Sequence, residues 1–280
     1  VPVNIDSDGR RWVSAETEVP GTPEVVWQAI ATGPGISSWF VPTEVEERVG
    51  GTTVSHFSPD GSMDSVAEVK VWEPPHLFVA AAPDDMGPGN PTVATEWHVE
   101  TRSGDTCVVR VVHSWYADTD EWDAQFEQHL WGWLSFFRVL RAHLAHFAGQ
   151  PSASFQVMGT SEASKEDVWE RFMDELGIGT VAEGAQVRSG PGAPQLAGQV
   201  AWAGQPAFPE ELLIVLSAPA PGLAHFVPHP MGLTYLTLRF YLSGADAAQR
   251  VAEVEPVWQA WLAERFPMVA FDPAMMAGEA

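Results

Sequence analysis

The chain has 280 residues, 45% of them hydrophobic, with 37 acidic against 14 basic side chains and a formal charge of -23. That length suits two domains, each large enough to bury a core. The acidity leaves no basic stripe for phosphate neutralisation, so neither nucleic acid nor an anionic membrane surface is an expected partner. No apolar run approaches the roughly 20 residues of a membrane-spanning helix, so no membrane insertion is expected. The opening VPVNIDSDGRRW has no basic stretch followed by an apolar one, which makes the cytoplasm the expected location.

RRWVSAETEV at 10–19 alternates as a strand and ends at Pro20-Gly21, where TPEVVWQAI begins a helix at 22–32 with Thr22 as N-cap and Glu24 in its first turn. After the turn GPGISSWF come six strand-like runs: TEVEERV, TTVSHF, SVAEVKVWE, HLFVAAA, TVATEWHVE and TCVVRVVHSWY. Turn residues punctuate them, as in an antiparallel meander. The segment DTDEWDAQFEQHLWGWLSFFRVLRAHLAHF then predicts a long helix. On a helical wheel Trp122, Phe126, His129, Phe137, Leu140, Leu144 and Phe147 fall within about 40° of Trp133, giving one aromatic face. Gln128, Ser135, Arg138 and Ala142 are expected on a solvated face, with Trp131 as an aromatic exception suggesting a contact.

GQPSAS reads as a linker. Beyond it SFQVMG predicts a short strand, and SKEDVWERF at 164–172 repeats the earlier helix start, with Ser164 for Thr22 and Val168-Trp169 for Val26-Trp27. LAGQVAWAG, ELLIVLSAP, LAHFVPH and TYLTLRFYLSG follow as strands. A closing helix from about Asp246 to Phe266 carries Trp258 and Trp261, and Pro256 should break or kink it. The expected organisation is therefore two related units, 1–149 and 150–280, the second shorter and diverged.

The blocks VPGTPEVVWQAIATGPGISSWFVPTEVEERVGG at 19–51, VKVWEPPHLFV at 69–79, ATEWHVE at 94–100 and HLWGWLSFFRVLRAHL in the long helix resemble the SRPBCC (START-like) superfamily. The branch is similar to bacterial homologues of the heat-shock-protein ATPase activator's C-terminal domain. The resemblance covers nearly all of 10–147 and is weaker over 152–267. It implies an α+β helix-grip fold, an antiparallel sheet wrapped around a long C-terminal helix with a hydrophobic cavity between them, here in tandem. Lipid and small-molecule carriers, cyclases, hormone receptors and chaperone regulators share this fold, so the site must choose among them.

In TCVVRVVHSWY the alternation turns Cys107, Val109, Val111, His113 and Trp115 toward the long helix, and Val93, Thr95, Trp97 and Val99 join them from the neighbouring strand. His113 and His129 thus fall on faces assigned to the cavity, where a neutral imidazole could orient a ligand, act as a general base, or simply be a satisfied core histidine. The aromatics Trp39, Phe40, Phe57, Trp72, Phe78, Trp97, Trp115, Trp133 and Phe137 either line a pocket or fill the core. The ligand-binding set expected here is Trp39, Phe57, Trp97, His113, Trp115, His129, Trp133 and Phe137, with no catalytic residue, no metal and no cofactor. His143 with His146, and His225 with His229, are metal-like pairs without a third ligand, so they read as solvated or capping groups. Cys107 reads as a core residue, and RSGPGAPQ at 188–195 as a plain loop.

The leading expectation is noncatalytic binding of a hydrophobic small molecule in the first unit. Glu68, Glu96 and Glu100 fall on outward positions, leaving no carboxylate beside a cavity histidine. A cyclase- or hydrolase-like enzyme using His113 or His129 is the alternative, and a chaperone regulator the third reading. Beyond the small molecule, the partners expected are a second copy of the chain or a chaperone.

Overall fold

The computed structural model describes residues 3–57, 61, 64–83, 90–117, 119–204 and 209–269, apart from the side chains at 124, 128, 129, 131 and 231. The chain divides into two compact units, Val1–Gly149 and Gln150–Ala280.

The first unit runs β1 (Asn4–Ile5), β2 (Arg10–Pro20), α1 (Pro23–Ala31), α2 (Gly33–Ser37), β3 (Thr43–Val45), β4 (Thr52–His56), β5 (Asp64–Glu73), β6 (Leu77–Ala82), β7 (Val93–Ser103), β8 (Thr106–Tyr116) and α3 (Asp123–His146). Its strands form one antiparallel sheet in the order β1-β2-β8-β7-β6-β5-β4-β3. The meander wraps round until the opening strand β2 lies beside the closing strand β8. Alternation in β8 works as the sequence predicts: Cys107, Val109, Val111, His113 and Trp115 are all buried. Each fully buried Val, Leu or Phe contributes about 1.5–3 kcal/mol of transfer free energy.

Three local expectations need correction. GPGISSWF is not a plain turn, because Thr32 Oγ1 accepts from Gly35 N–H at 3.1 Å and caps the short helix α2. Gly35 is required there, since a Cβ would stand 1.8 Å from the Gln28 carbonyl oxygen of α1. Thr22 sits at the N-cap of α1, but its hydroxyl accepts no capping bond there. The buried face of α3 is wider than the wheel predicts. Val139, Ala142 and His143 are buried together with Phe126, Phe137, Leu140 and Leu144, so Ala142 is not solvated. The side chains of Trp131 and His129 lie outside the described residues.

The second unit runs β9 (Ser152–Ser161), α4 (Lys165–Leu176), β10 (Gln186–Arg188), β11 (Ala197–Trp202), β12 (Leu212–Ala218), β13 (Gly222–Met231), β14 (Leu233–Ser243) and α5 (Ala247–Arg265). Its sheet order, β10-β11-β12-β13-β14-β9, again sets the opening strand beside the closing one. Without β1, this is the first unit's order with one strand fewer. Ser164 does cap α4, accepting from Asp167 N–H at 3.1 Å.

Pro256 does not break α5, which continues to Arg265. Trp258 (0% exposed), Leu262 and Phe266 lie beyond it in the core with Phe226, Phe240 and Phe172. Burial of those rings outweighs the hydrogen bond that the proline removes, a loss of about 3 kcal/mol in a helix interior.

Candidate functional site

Four elements bring rings together inside the first unit. The α2 turn delivers Trp39 and Phe40, the inward positions of β7 and β8 deliver Trp97, His113 and Trp115, and α3 delivers Phe126, Trp133, Phe136 and Phe137. Trp39 is anchored by its own indole N–H, which donates to the Ala29 carbonyl at 2.8 Å. Trp39, Trp97 and Phe137 form a buried floor, with Trp97 edge-on to Trp39 at 6.0 Å and to Trp133 at 5.0 Å. Above that floor Phe40, Trp133 and Phe136 are only partly buried and Phe57 is exposed.

The rings form a continuous path from the surface inward. Phe57 meets Phe40 at 5.7 Å, and Phe40 stacks on Trp133 at 5.1 Å. Trp133 lies near-parallel to His113 at 5.6 Å, His113 approaches Phe126 at 6.3 Å, and Phe126 stacks on Trp115 at 3.9 Å. Offset and edge-on contacts of this kind add about 0.5–1.5 kcal/mol each beyond area burial.

His113 is the polar centre of the path. Trp133 Nε1–H donates to His113 Nε2 at 2.5 Å, and His113 Nδ1 lies 3.0 Å from Thr95 Oγ1. An indole nitrogen only donates, so Nε2 carries a lone pair and the proton of the neutral ring sits on Nδ1, facing the threonine hydroxyl. Glu96, its neighbour on β7, points to the other side of the sheet and pairs with Arg10 and with His98 Nε2. No carboxylate beside His113 is therefore supplied by that strand.

Of the expected site residues, Trp39, Trp97, His113, Trp133 and Phe137 come together directly. Phe57 joins at the rim and Trp115 at the deep end, while His129 falls outside the described side chains. Trp72 and Phe78 do not join this group: they pack edge-on against each other at 5.2 Å, and Trp72 meets Trp27 of α1 at 5.1 Å. Sequence reasoning missed Phe126 and Phe136 as path members, and Asp123 as the partner of Arg11. Asp123 takes Arg11 Nη1 at 2.6 Å, a pairing across 112 residues that no local signal carries.

One histidine of each pair, His143 and His225, is buried and not solvated. His143 is 5% exposed, and burial pushes its pKa down to about 4. Ser38 Oγ, which donates to the Gly35 carbonyl, lies 3.1 Å from His143 Nε2 and so accepts from it. His146, three residues on, is exposed. In the second unit His225 is 1% exposed with Nε2 3.0 Å from Glu211 Oε1, while Trp202 Nε1 donates to Glu211 Oε2 at 3.0 Å. Burial, and then Arg239 and His225, push His229 down to about 3 against the pull of Glu211. Strand alternation places this polar group on the sheet face opposite α5. Among the described residues no cluster of three or more His, Cys, Asp or Glu side chains is placed to hold a metal.

Cys107 donates to the Gly21 carbonyl at 3.3 Å, and burial raises its pKa, which makes it an unreactive core thiol. An open depression of about 570 Å³ along α4, lined by Asp167, Glu170, Arg171, Asp174 and Glu175, lies in the second unit, outside the ring path. No described helix is long and apolar enough to cross a membrane.

Residues 20–145 match the family model of Activator of Hsp90 ATPase homolog 1-like protein. No curated protein sequence matches the chain. Among solved structures, the di-domain ARO/CYC BexL of the BE-7585A biosynthetic pathway is 13% identical, with 92% of this chain and 99% of that one covered at a TM-score of 0.44. DynU16 of the dynemicin biosynthetic locus is 18% identical over 89% of this chain and 95% of its own, at a TM-score of 0.41. The Aha1 dimer from Colwellia psychrerythraea is 19% identical over 48% of this chain and 95% of its own, at a TM-score of 0.38. Likeness at this level speaks to neither activity nor ligand. Residues 20–145, which hold the whole ring path, thus form an AHSA1-like domain of the SRPBCC superfamily, and the second unit repeats its strand order with one strand fewer.

Proposed function

We propose that the first unit binds a planar, hydrophobic small molecule among Trp39, Phe57, Trp97, His113, Trp115, Trp133 and Phe137, without transforming it. The observation that carries this reading is the state of His113. Both ring nitrogens are engaged, Nε2 by the Trp133 indole and Nδ1 by the Thr95 hydroxyl, so neither is open to take a substrate proton. Around it Phe40, Trp133 and Phe136 stay partly open, and large aromatic side chains of that kind favour flat apolar ligands. Phe40 rests on Trp133 and edge-on against Phe136 at 4.5 Å, so a ligand enters by displacing Phe40 while Trp133 stays bonded to His113. No cofactor is part of this reading. A cytoplasmic location belongs to this reading.

The test compares Trp133→Ala with His113→Asn. The first removes a wall of the site and weakens binding; the second changes affinity modestly and abolishes no reaction. Thermal melts accompany both, because truncating a packed tryptophan costs about 3–5 kcal/mol by itself. A ligand chemically altered by wild type and left intact by His113→Asn would overturn the reading in favour of catalysis. The family description motivates one further arm, a pull-down against a chaperone, and a size measurement in solution tests association with a second copy.

A further inference from the structure

At the deep end of the ring path two buried polar atoms have no hydrogen-bond partner among the described residues, Trp115 Nε1 and Asp123 Oδ1. The first can only donate, and the second, as a carboxylate oxygen, can only accept. Trp115 is 1% exposed, and buried polar atoms without partners are few in folded proteins because each one forfeits its hydration.

The topology brings the two residues into one region of the fold. Arg11 stands directly across the β2–β8 ladder from Trp115, so both side chains leave the sheet on the face toward α3. Arg11 Nη1 donates to the other oxygen of Asp123, Oδ2, at 2.6 Å, and its Nε donates to the Ala117 carbonyl at 3.2 Å. Asp123 opens α3, and Phe126, one turn later, is the ring on which Trp115 stacks. An orphan donor on β8 and an orphan acceptor at the start of α3 therefore both belong to the inner end of the ring path.

We propose that this end is a subsite for the hydroxyl group of an aromatic alcohol, a phenol in class. The hydroxyl oxygen accepts from Trp115 Nε1–H while its own hydrogen is donated to Asp123 Oδ1. A carbonyl or ether would satisfy Trp115 alone and leave Asp123 unpaired. A carboxylate or phosphate would set like charge against Asp123. An amine serves Asp123 but, when protonated, leaves the indole without an acceptor. The ion pair with Arg11 offsets the charge of Asp123, which favours a neutral donor opposite it, and the attached ring extends toward Phe126, His113 and Trp133. The inference rests on the first unit's proposed role as an aromatic-ligand site and adds the polar group its ligand carries.

Calorimetric titration with three matched probes tests it: 2-naphthol, 2-methoxynaphthalene and naphthalene. Wild type should bind 2-naphthol about ten-fold more tightly than naphthalene, with the ether between them, because one added hydrogen bond is neutral and the other is to a charged group. Trp115→Phe should reduce the preference, since only the bond to Asp123 remains, and should erase the smaller advantage of the ether over naphthalene while naphthalene still binds. Replacing Trp115 by its benzothiophene isostere removes only the N–H and keeps the shape, so it gives the same answer if Trp115→Phe fails to fold. Equal affinity for 2-naphthol and naphthalene would mean that a water molecule serves the two atoms, which overturns the subsite and leaves the aromatic site standing. Binding of none of the three would overturn both.

Discussion

The two units share a strand order and differ in how they use their rings. In the second, Phe155, Phe172, Phe226, Phe240, Trp258 and Trp261 pack into a core in which every one of those side chains is buried. In the first, a comparable load of aromatics is graded, from fully buried Trp39 and Trp115 through partly open Trp133 and Phe40 to exposed Phe57. The second unit also keeps its buried polar group, Glu211 with His225 and Trp202, on the opposite face of its sheet from α5, whereas the first threads His113 and Thr95 into the ring path itself. Closely related strand orders thus support a closed aromatic core in one copy and a graded, partly open ring path in the other. What separates them is the exposure of a few side chains at the rim.

The largest effect that would break this comparison is mutational. Trp258→Ala should remove about 3–5 kcal/mol from the second unit's stability, as expected for a fully buried tryptophan, and leave binding by the first unit intact. Trp133→Ala should cost less stability, because that ring is partly open, and should weaken binding of 2-naphthol. Calorimetric unfolding with paired titrations checks both, and the reverse pattern would place the ligand in the wrong copy.

Acid should separate the units next. His143 is held near pKa 4 by burial, against 6.5 for an ordinary histidine, so the unfolded chain binds its proton first. Its contribution is fully present above pH 6.5 and is lost as pH falls toward 4, by about 1.4 kcal/mol per unit and roughly 3 kcal/mol in all. His143→Gln should flatten that slope in the first unit. His229, held near 3, extends the corresponding loss in the second unit to lower pH. Denaturant midpoints measured from pH 7 to 3.5 check the two windows.

A smaller effect is expected at the second unit's polar group. Glu211→Gln keeps the shape and removes the charge facing His225 and Trp202, which should destabilise that unit by about 1–3 kcal/mol with no change in ligand affinity. Smallest of all, His113→Asn should shift affinity for an apolar ligand only a few-fold, since one neutral hydrogen bond contributes about 0.5–1.5 kcal/mol.

Much of the fold was legible because its signals are local. Period-two alternation in TCVVRVVHSWY set which side chains face the long helix, and the repeated Val-Trp helix start exposed the tandem arrangement. Short elements escaped: α2 depends on the Thr32 cap and on the approach of Gly35 to α1, and β10 has only three residues. Pro256 misled because tertiary burial overrides a local breaker. The ring types of the site could be read from composition, but their order could not, since Trp72 and Trp133 look alike in sequence and join different clusters. His143 and His225 looked solvated because their partners, Ser38 and Glu211, are brought to them only by the fold.

The most direct test of the central claim follows the indole N–H signals of the tryptophans by nuclear magnetic resonance while 2-naphthol is added. The account predicts saturable shifts for Trp97, Trp115 and Trp133 with Trp258 and Trp261 unmoved. Shifts confined to the second unit's tryptophans, or no saturable shift at all, would contradict it.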